Sequence, residues 1–119
     1  IRNDMAAYKA RAEAVRNAEV YRKSFAISVC PAADLESPTI VGAQAANELL
    51  NVIGIKASFV LTEYNGKIFV SARSIDEVNV QYLMEKLGGG GHLNIAGAQV
   101  QESPEEILEI IKEIVPQFL

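Results

Sequence analysis

The sequence is poor in the residues that build most catalytic centres. Its 119 residues include one histidine, His92, one cysteine, Cys30, and no tryptophan. The aspartates are Asp4, Asp34 and Asp76, far apart and without ligand spacing. Metal-assisted hydrolysis draws on a cluster of Asp and His ligands, often around two ions, and no such motif is present. A Ser-His-Asp set is equally absent as a pattern. The lone Cys30 cannot form an internal disulfide; it lies in the apolar run of residues 25–30 and reads as a buried structural thiol. No apolar run approaches the roughly 20 residues that span a bilayer. Basic charge is also lacking: the net charge is −4, against the basic face that binds duplex nucleic acid. A small anionic ligand stays open, because two or three focused donors hold a phosphate whatever the net charge. The chain starts at Ile1 without an initiator Met, in what reads as the approach to a helix, and a piece of a longer protein is expected.

What is present is the profile of one globular domain, 50% hydrophobic and 22% charged. Residues 4–23 read as a helix, with Met5, Tyr8, Ala12, Val15 and Ala18 on one face. A strand over 24–30 stops at Pro31, and a loop of turn-formers leads to a helix over 39–53 with Gly54 as its cap. Two β-rich runs, 56–63 and 67–73, flank Asn65-Gly66, a strong hairpin signal. A helix over 77–87 ends at Gly88, and a short strand is expected over 97–101. Ser103 and Pro104 open a last helix with a stripe of Ile107, Leu108, Ile111 and Val115. The order predicts an α/β fold, a mixed sheet of about four to five strands flanked by helices. Most glutamates fall on helix faces and read as solvated charge.

Two segments point to chemistry. The first is Gly88-Gly89-Gly90-Gly91-His92. One glycine suffices to cap a helix, whereas four lose backbone entropy on folding. Successive bare N–H groups form an anion-binding nest, and His92 adds a donor or a stacking ring. The competing reading is a flexible turn with a chance histidine. No Lys-Ser or Lys-Thr follows, so this is no Walker loop, and a dinucleotide fingerprint does not fit. The second segment is Ser71-Ala72-Arg73-Ser74. Arginine offers a planar fork of donors for phosphate. The competing reading pairs Arg73 with Asp76 or Glu77 at the surface.

Together these segments, about a dozen helical residues apart, resemble the DHH-associated C-terminal domain of the DHH phosphoesterase family. Ala57-Ser58-Phe59-Val60, Val78-Asn79-Val80-Gln81 and residues 87–99 are similar to its GdpP-type cyclic-di-AMP phosphodiesterase branch. Oligoribonuclease-type relatives often carry two alanines before the glycine that follows the histidine, where Ile95-Ala96-Gly97 stands here.

The resemblance implies residues 1–23 as an interdomain linker helix and 24–119 as a substrate-binding domain. It implies a clamp of Arg73, Ser74, Gly89, Gly90, Gly91 and His92 on a small nucleotide, cyclic-di-AMP or a linear dinucleotide. It places two Mn2+ ions and the hydrolysis in a DHH catalytic domain in cis, with no cofactor and no catalytic or metal-binding residue in this chain, which alone is expected to be inactive. It implies a cytoplasmic domain of a bacterial signalling protein anchored to the membrane elsewhere, with a homodimer possible and no direct membrane contact by this chain. Two other functions stay open: the substrate-binding domain of an oligoribonuclease or nanoRNase, and a non-enzymatic nucleic-acid-binding or oligomerisation module of the kind found in alanyl-tRNA synthetases.

Overall fold

A computed structural model describes residues 4–118. Helix α1 (Met5–Arg16) starts where the Asp4 carboxylate accepts a hydrogen bond from the Ala7 N–H at 2.8 Å. It is shorter than the expected helix of 4–23, and residues 1–3 of the expected linker lie outside the described residues. Beyond Arg16 the chain forms β1 (Glu19–Tyr21) and turns into β2 (Phe25–Cys30) through Arg22 and Lys23, which stand at φ 53° and 70°. A turn made by two left-handed residues that are neither Gly nor Asn leaves no sequence signal, so β1 reads as more helix.

Helix α2 (Pro38–Leu50) begins with Pro38 in its first turn and ends before the expected residue 53, with Gly54 in the following turn at φ 91°. The hairpin β3 (Ala57–Tyr64) and β4 (Lys67–Ser74) turns at Asn65 and Gly66, both with positive φ, as an Asn-Gly turn requires. Helix α3 (Val80–Lys86) is capped by Asn79, whose side chain accepts from the Tyr82 N–H at 3.0 Å; the expected start at residue 77 is too early because Asp76 has φ 55°. Strands β5 (Gly90–Gly91) and β6 (Ile95–Val100) follow, then α4 (Pro104–Ile114), opened by a capping box between Ser103 and Glu106, and a 3-10 turn, Val115–Phe118.

The fold is mixed α/β, with six strands rather than four to five, in the order β1-β2-β3-β4-β6-β5. The two additional strands are the three-residue β1 and the two-residue β5. Only β2 and β3 pair in parallel, joined through α2. On one face, Phe25, Ile27, Phe59, Leu61 and Val70 pack with Leu83 and Met84 of α3 and with Ile107 and Ile111 of α4. On the other face, α1 and α2 bring Ala10, Ala14, Ala45, Ala46 and Leu49 onto Ala26, Cys30 and Val60. Small residues let those helices sit close. Ser58 donates to the Ala46 carbonyl at 2.6 Å, and Ser28 to that of Ala14. Cys30 is 2% exposed, and burial pushes its thiol up to about 11.

This second cluster draws on β2 and β3 and on no residue of β4, β6 or β5. Helix α2 also lies along β4, so the sheet is sandwiched from β2 to the near side of β4, while β6 and β5 carry helices on a single face.

Candidate functional site

The cleft beside α2 follows from strand alternation. Along β4, Ile68, Val70, Ala72 and Ser74 are buried, while Lys67, Phe69, Ser71 and Arg73 alternate with them and are half-buried. On β6, Ala96, Ala98 and Val100 are buried, and Ile95, Gly97 and Gln99 alternate with them. Cross-strand pairing sets Phe69 opposite Gln99, Ser71 opposite Gly97 and Arg73 opposite Ile95. These residues floor an open cleft of about 650 Å³, walled by residues 88–92 on one side and by Thr39 of α2. The structure thus brings Arg73, Gly89, Gly90, Gly91 and His92 to one place.

Arg73 is held rather than loose. Its Nε donates to Asn47 Oδ1 of α2 and its Nη1 to the Ala72 carbonyl, both at 2.9 Å. A guanidinium has five N–H donors, and these bonds use two. Partial burial draws its pKa down from the usual arginine value. Among the described residues its charge meets no carboxylate within ion-pair distance, and the surface pair with Asp76 or Glu77 does not form. A half-buried cation without a counter-ion is able to take an anion.

The four glycines divide by role. Gly88 has φ 86°, and its N–H donates to Glu85 O while that of Gly89 donates to Met84 O, the double bond of a helix-ending Schellman turn. At Gly89 a Cβ would collide with the Gly97 carbonyl and Ala98 of β6. Gly91, at φ 143°, would set a Cβ 2.6 Å from Ala96 Cα. Gly90 alone combines an ordinary φ with open space where its side chain would be. Its bare backbone faces the cleft.

His92 is exposed at the cleft rim, and its backbone N–H is taken by the Ile95 carbonyl at 2.7 Å. The chain turns from His92 into β6, and with its backbone N–H taken the imidazole is what His92 can offer. Ser74 is placed elsewhere. It faces the helix-covered side, 4% exposed, with its hydroxyl donating to Val78 O at 2.6 Å and accepting from Asn94 Nδ2 at 2.9 Å. Adjacent residues of a strand point to opposite faces, so Arg73 and Ser74 cannot serve one ligand through their side chains. Ser71 occupies the cleft side instead. Sequence reasoning also missed Thr39, Asn47, Phe69 and Gln99. For Phe69 the period of two back from Arg73 was available as a signal.

Among the described residues no three of His, Cys, Asp and Glu come together to hold a metal ion. The donor set that a manganese pair needs does not fit these residues. No helix among them is long and apolar enough to cross a membrane. A second hollow of about 540 Å³, beside Cys30, Pro38 and Tyr64, collects none of the expected site residues.

The DHHA1 domain family matches residues 23–117. Cyclic-di-AMP phosphodiesterase PdeA of Listeria monocytogenes serotype 1/2a (strain 10403S) is 40% identical over 103 residues, 86% of this chain and 16% of that protein. Cyclic-di-AMP phosphodiesterase GdpP of Geobacillus thermodenitrificans (strain NG80-2) is 36% identical over 119 residues, 95% of this chain and 18% of that protein. The chain thus spans less than a fifth of either relative. Among solved structures, an exopolyphosphatase-related protein from Bacteroides fragilis superposes with a TM-score of 0.84 at 19% identity, over 98% of this chain and 36% of that one. At that identity the likeness speaks to the fold alone.

Proposed function

The chain belongs to the DHHA1 domain family, and from that membership we propose that it is the substrate-recognition domain of a cyclic-di-AMP phosphodiesterase. The observation that supports this reading is the meeting of Arg73, Gly90 and His92 in one cleft on the open half of the sheet. Arg73 supplies an oriented cation for a phosphate, Gly90 a backbone that a ligand can approach, and His92 a donor or ring at the rim. Hydrolysis falls to a DHH domain in cis, which carries the two manganese ions. The membrane anchor of the intact bacterial signalling protein lies in segments other than this domain. Helix α1 leads toward that catalytic domain: Ala10 and Ala14 fix one side of it, while Met5 and Tyr8 are exposed.

The test uses the intact enzyme. A hydrogen bond to a charged group is worth about 1.5–3 kcal/mol. Arg73→Ala is therefore expected to lower kcat/KM for cyclic-di-AMP by roughly ten- to a hundredfold, with metal content unchanged and melting temperature lowered only slightly by the lost bond to Asn47. Arg73→Lys should recover only part, since an ammonium lacks the fork that meets both Asn47 and a phosphate. Wild-type kcat/KM in both Arg73→Ala and His92→Ala would refute the reading. A higher kcat/KM for the linear diadenylate than for the cyclic form would move the protein to the short-oligonucleotide nucleases.

A further inference from the structure

Resting on that reading, we propose that the end of the cleft remote from Arg73 is a base subsite, in which Phe69 stacks on an adenine ring and Gln99 reads its edge. Phe69 and Arg73 share a face of β4 four residues apart, about 13 Å at the usual rise of a strand. One ligand can therefore place an anionic group at one end and a flat ring at the other. Between them Ser71 lies opposite Gly97, a pair too small to fill the floor, which leaves a dip between two taller ends.

The ring of Phe69 is positioned for such a role. It is half-buried and lines the cleft, and its orientation is held by Tyr64, with centroids 6.2 Å apart and planes tilted by 54°. Stacking alone accepts any base; choosing among bases takes hydrogen bonds. Gln99 is the cross-strand partner of Phe69, exposed and on the cleft side. Its amide sets a donor beside an acceptor, the complement of an adenine edge, where the N6 amino group donates and the neighbouring ring nitrogen accepts. On guanine the same amide can meet O6 and N1–H but leaves the N2 amino group without an acceptor, because that edge presents two adjacent donors, N1–H and the N2 amino group. A carboxylate in its place would accept from both.

The experiment measures kcat/KM of the intact enzyme on cyclic-di-AMP and cyclic-di-GMP, with Arg73→Ala and His92→Ala run beside the new variants. Phe69→Leu, which keeps apolar bulk but loses the ring, should lower kcat/KM for cyclic-di-AMP by about tenfold or more, and further than Phe69→Tyr. Gln99→Glu should shift the adenine-to-guanine ratio toward guanine by about tenfold. Gln99 is exposed, so this variant decides alone if the Phe69 variants fail to fold. If Gln99→Glu leaves the ratio at the wild-type value, and any folded Leu and Tyr variants match each other while Arg73→Ala still loses activity, the base subsite is wrong and the phosphate clamp stands. If Arg73→Ala and His92→Ala are both unaffected as well, the domain reading itself has failed.

Discussion

The two halves of the sheet put similar residues on the same face to different use. Cross-strand rows run from β2 through β3 and β4 to β6. One holds Ser28, Val60, Ser71 and Gly97; the next holds Ala26, Ser58, Arg73 and Ile95. In the sandwiched half, Ser28 and Ser58 are almost fully buried, and their hydroxyls donate to helix carbonyls. At the edge of that cover, where α2 gives way to the cleft, Ser71 lies in the same row as Ser28 and lines the cleft. The serine does not differ; the layer above it does. Where α1 and α2 cover the sheet, a polar side chain fastens one layer to the next. Where the cover stops, it becomes available to a ligand.

That contrast is broken most directly by emptying the sandwiched half. Leu49 is 4% exposed in the core that α1 and α2 form on the sheet. Leu49→Ala should destabilise the domain by about 2–5 kcal/mol, read as a lower midpoint in chemical denaturation. A loss under about 1 kcal/mol would show that stability does not reside there. Gly91→Ala comes next, because this part of the open half is itself built to a structural need. The left-handed φ and the Cβ contact with Ala96 predict a loss of about 1–3 kcal/mol. An unchanged midpoint would mean that β5 is not anchored to β6.

A matched pair of serine variants sharpens the same comparison. Ser58→Ala removes a buried hydrogen bond to the Ala46 carbonyl and should lower stability by about 1 kcal/mol. Ser71→Ala, on the open side, should stay within about 0.5 kcal/mol of wild type. Equal losses for the two would erase the distinction between fastening and available hydroxyls.

The sequence carried the features that local chemistry sets. The Asn65-Gly66 turn, the Ser103–Glu106 capping box and the helix stop at Gly88 are each fixed by a few neighbouring residues. Strand β1 was illegible because Arg22 and Lys23 make its turn, and β5 because two glycines carry no strand preference and become a strand only by pairing with β6. The site divides along the same line. Arg73 and the glycine run stood out as residue types, but their use of one cleft with Thr39, Asn47 and Gln99 depends on register and on helix placement across the fold. The family resemblance puts Ser74 in one clamp with Arg73, and alternation along β4 separates them. The alternation was present in the sequence; which face lacks a helix was not.

Gly90 gives a small effect on stability and the only one of opposite sign. Three of the four consecutive glycines are explained by the fold alone: Gly88 by its left-handed φ, Gly89 by its contact with β6, and Gly91 by both constraints. Nothing of the kind holds at Gly90, where a Cβ would meet no atom within 4 Å. An alanine there restricts the unfolded chain without straining the folded one, so Gly90→Ala should stabilise the domain by about 0.4–1 kcal/mol. If glycine nevertheless stands there to let a ligand reach the backbone, the same variant should bind the nucleotide more weakly while melting slightly higher. Gly90→Val should bind more weakly still, since the added methyl groups project further into the cleft. Measuring melting temperature and cyclic-di-AMP affinity on the same intact variants separates the two roles. A lower melting temperature would place Gly90 with its structural neighbours, and unchanged affinity in both variants would remove the backbone of this loop from the ligand's contacts.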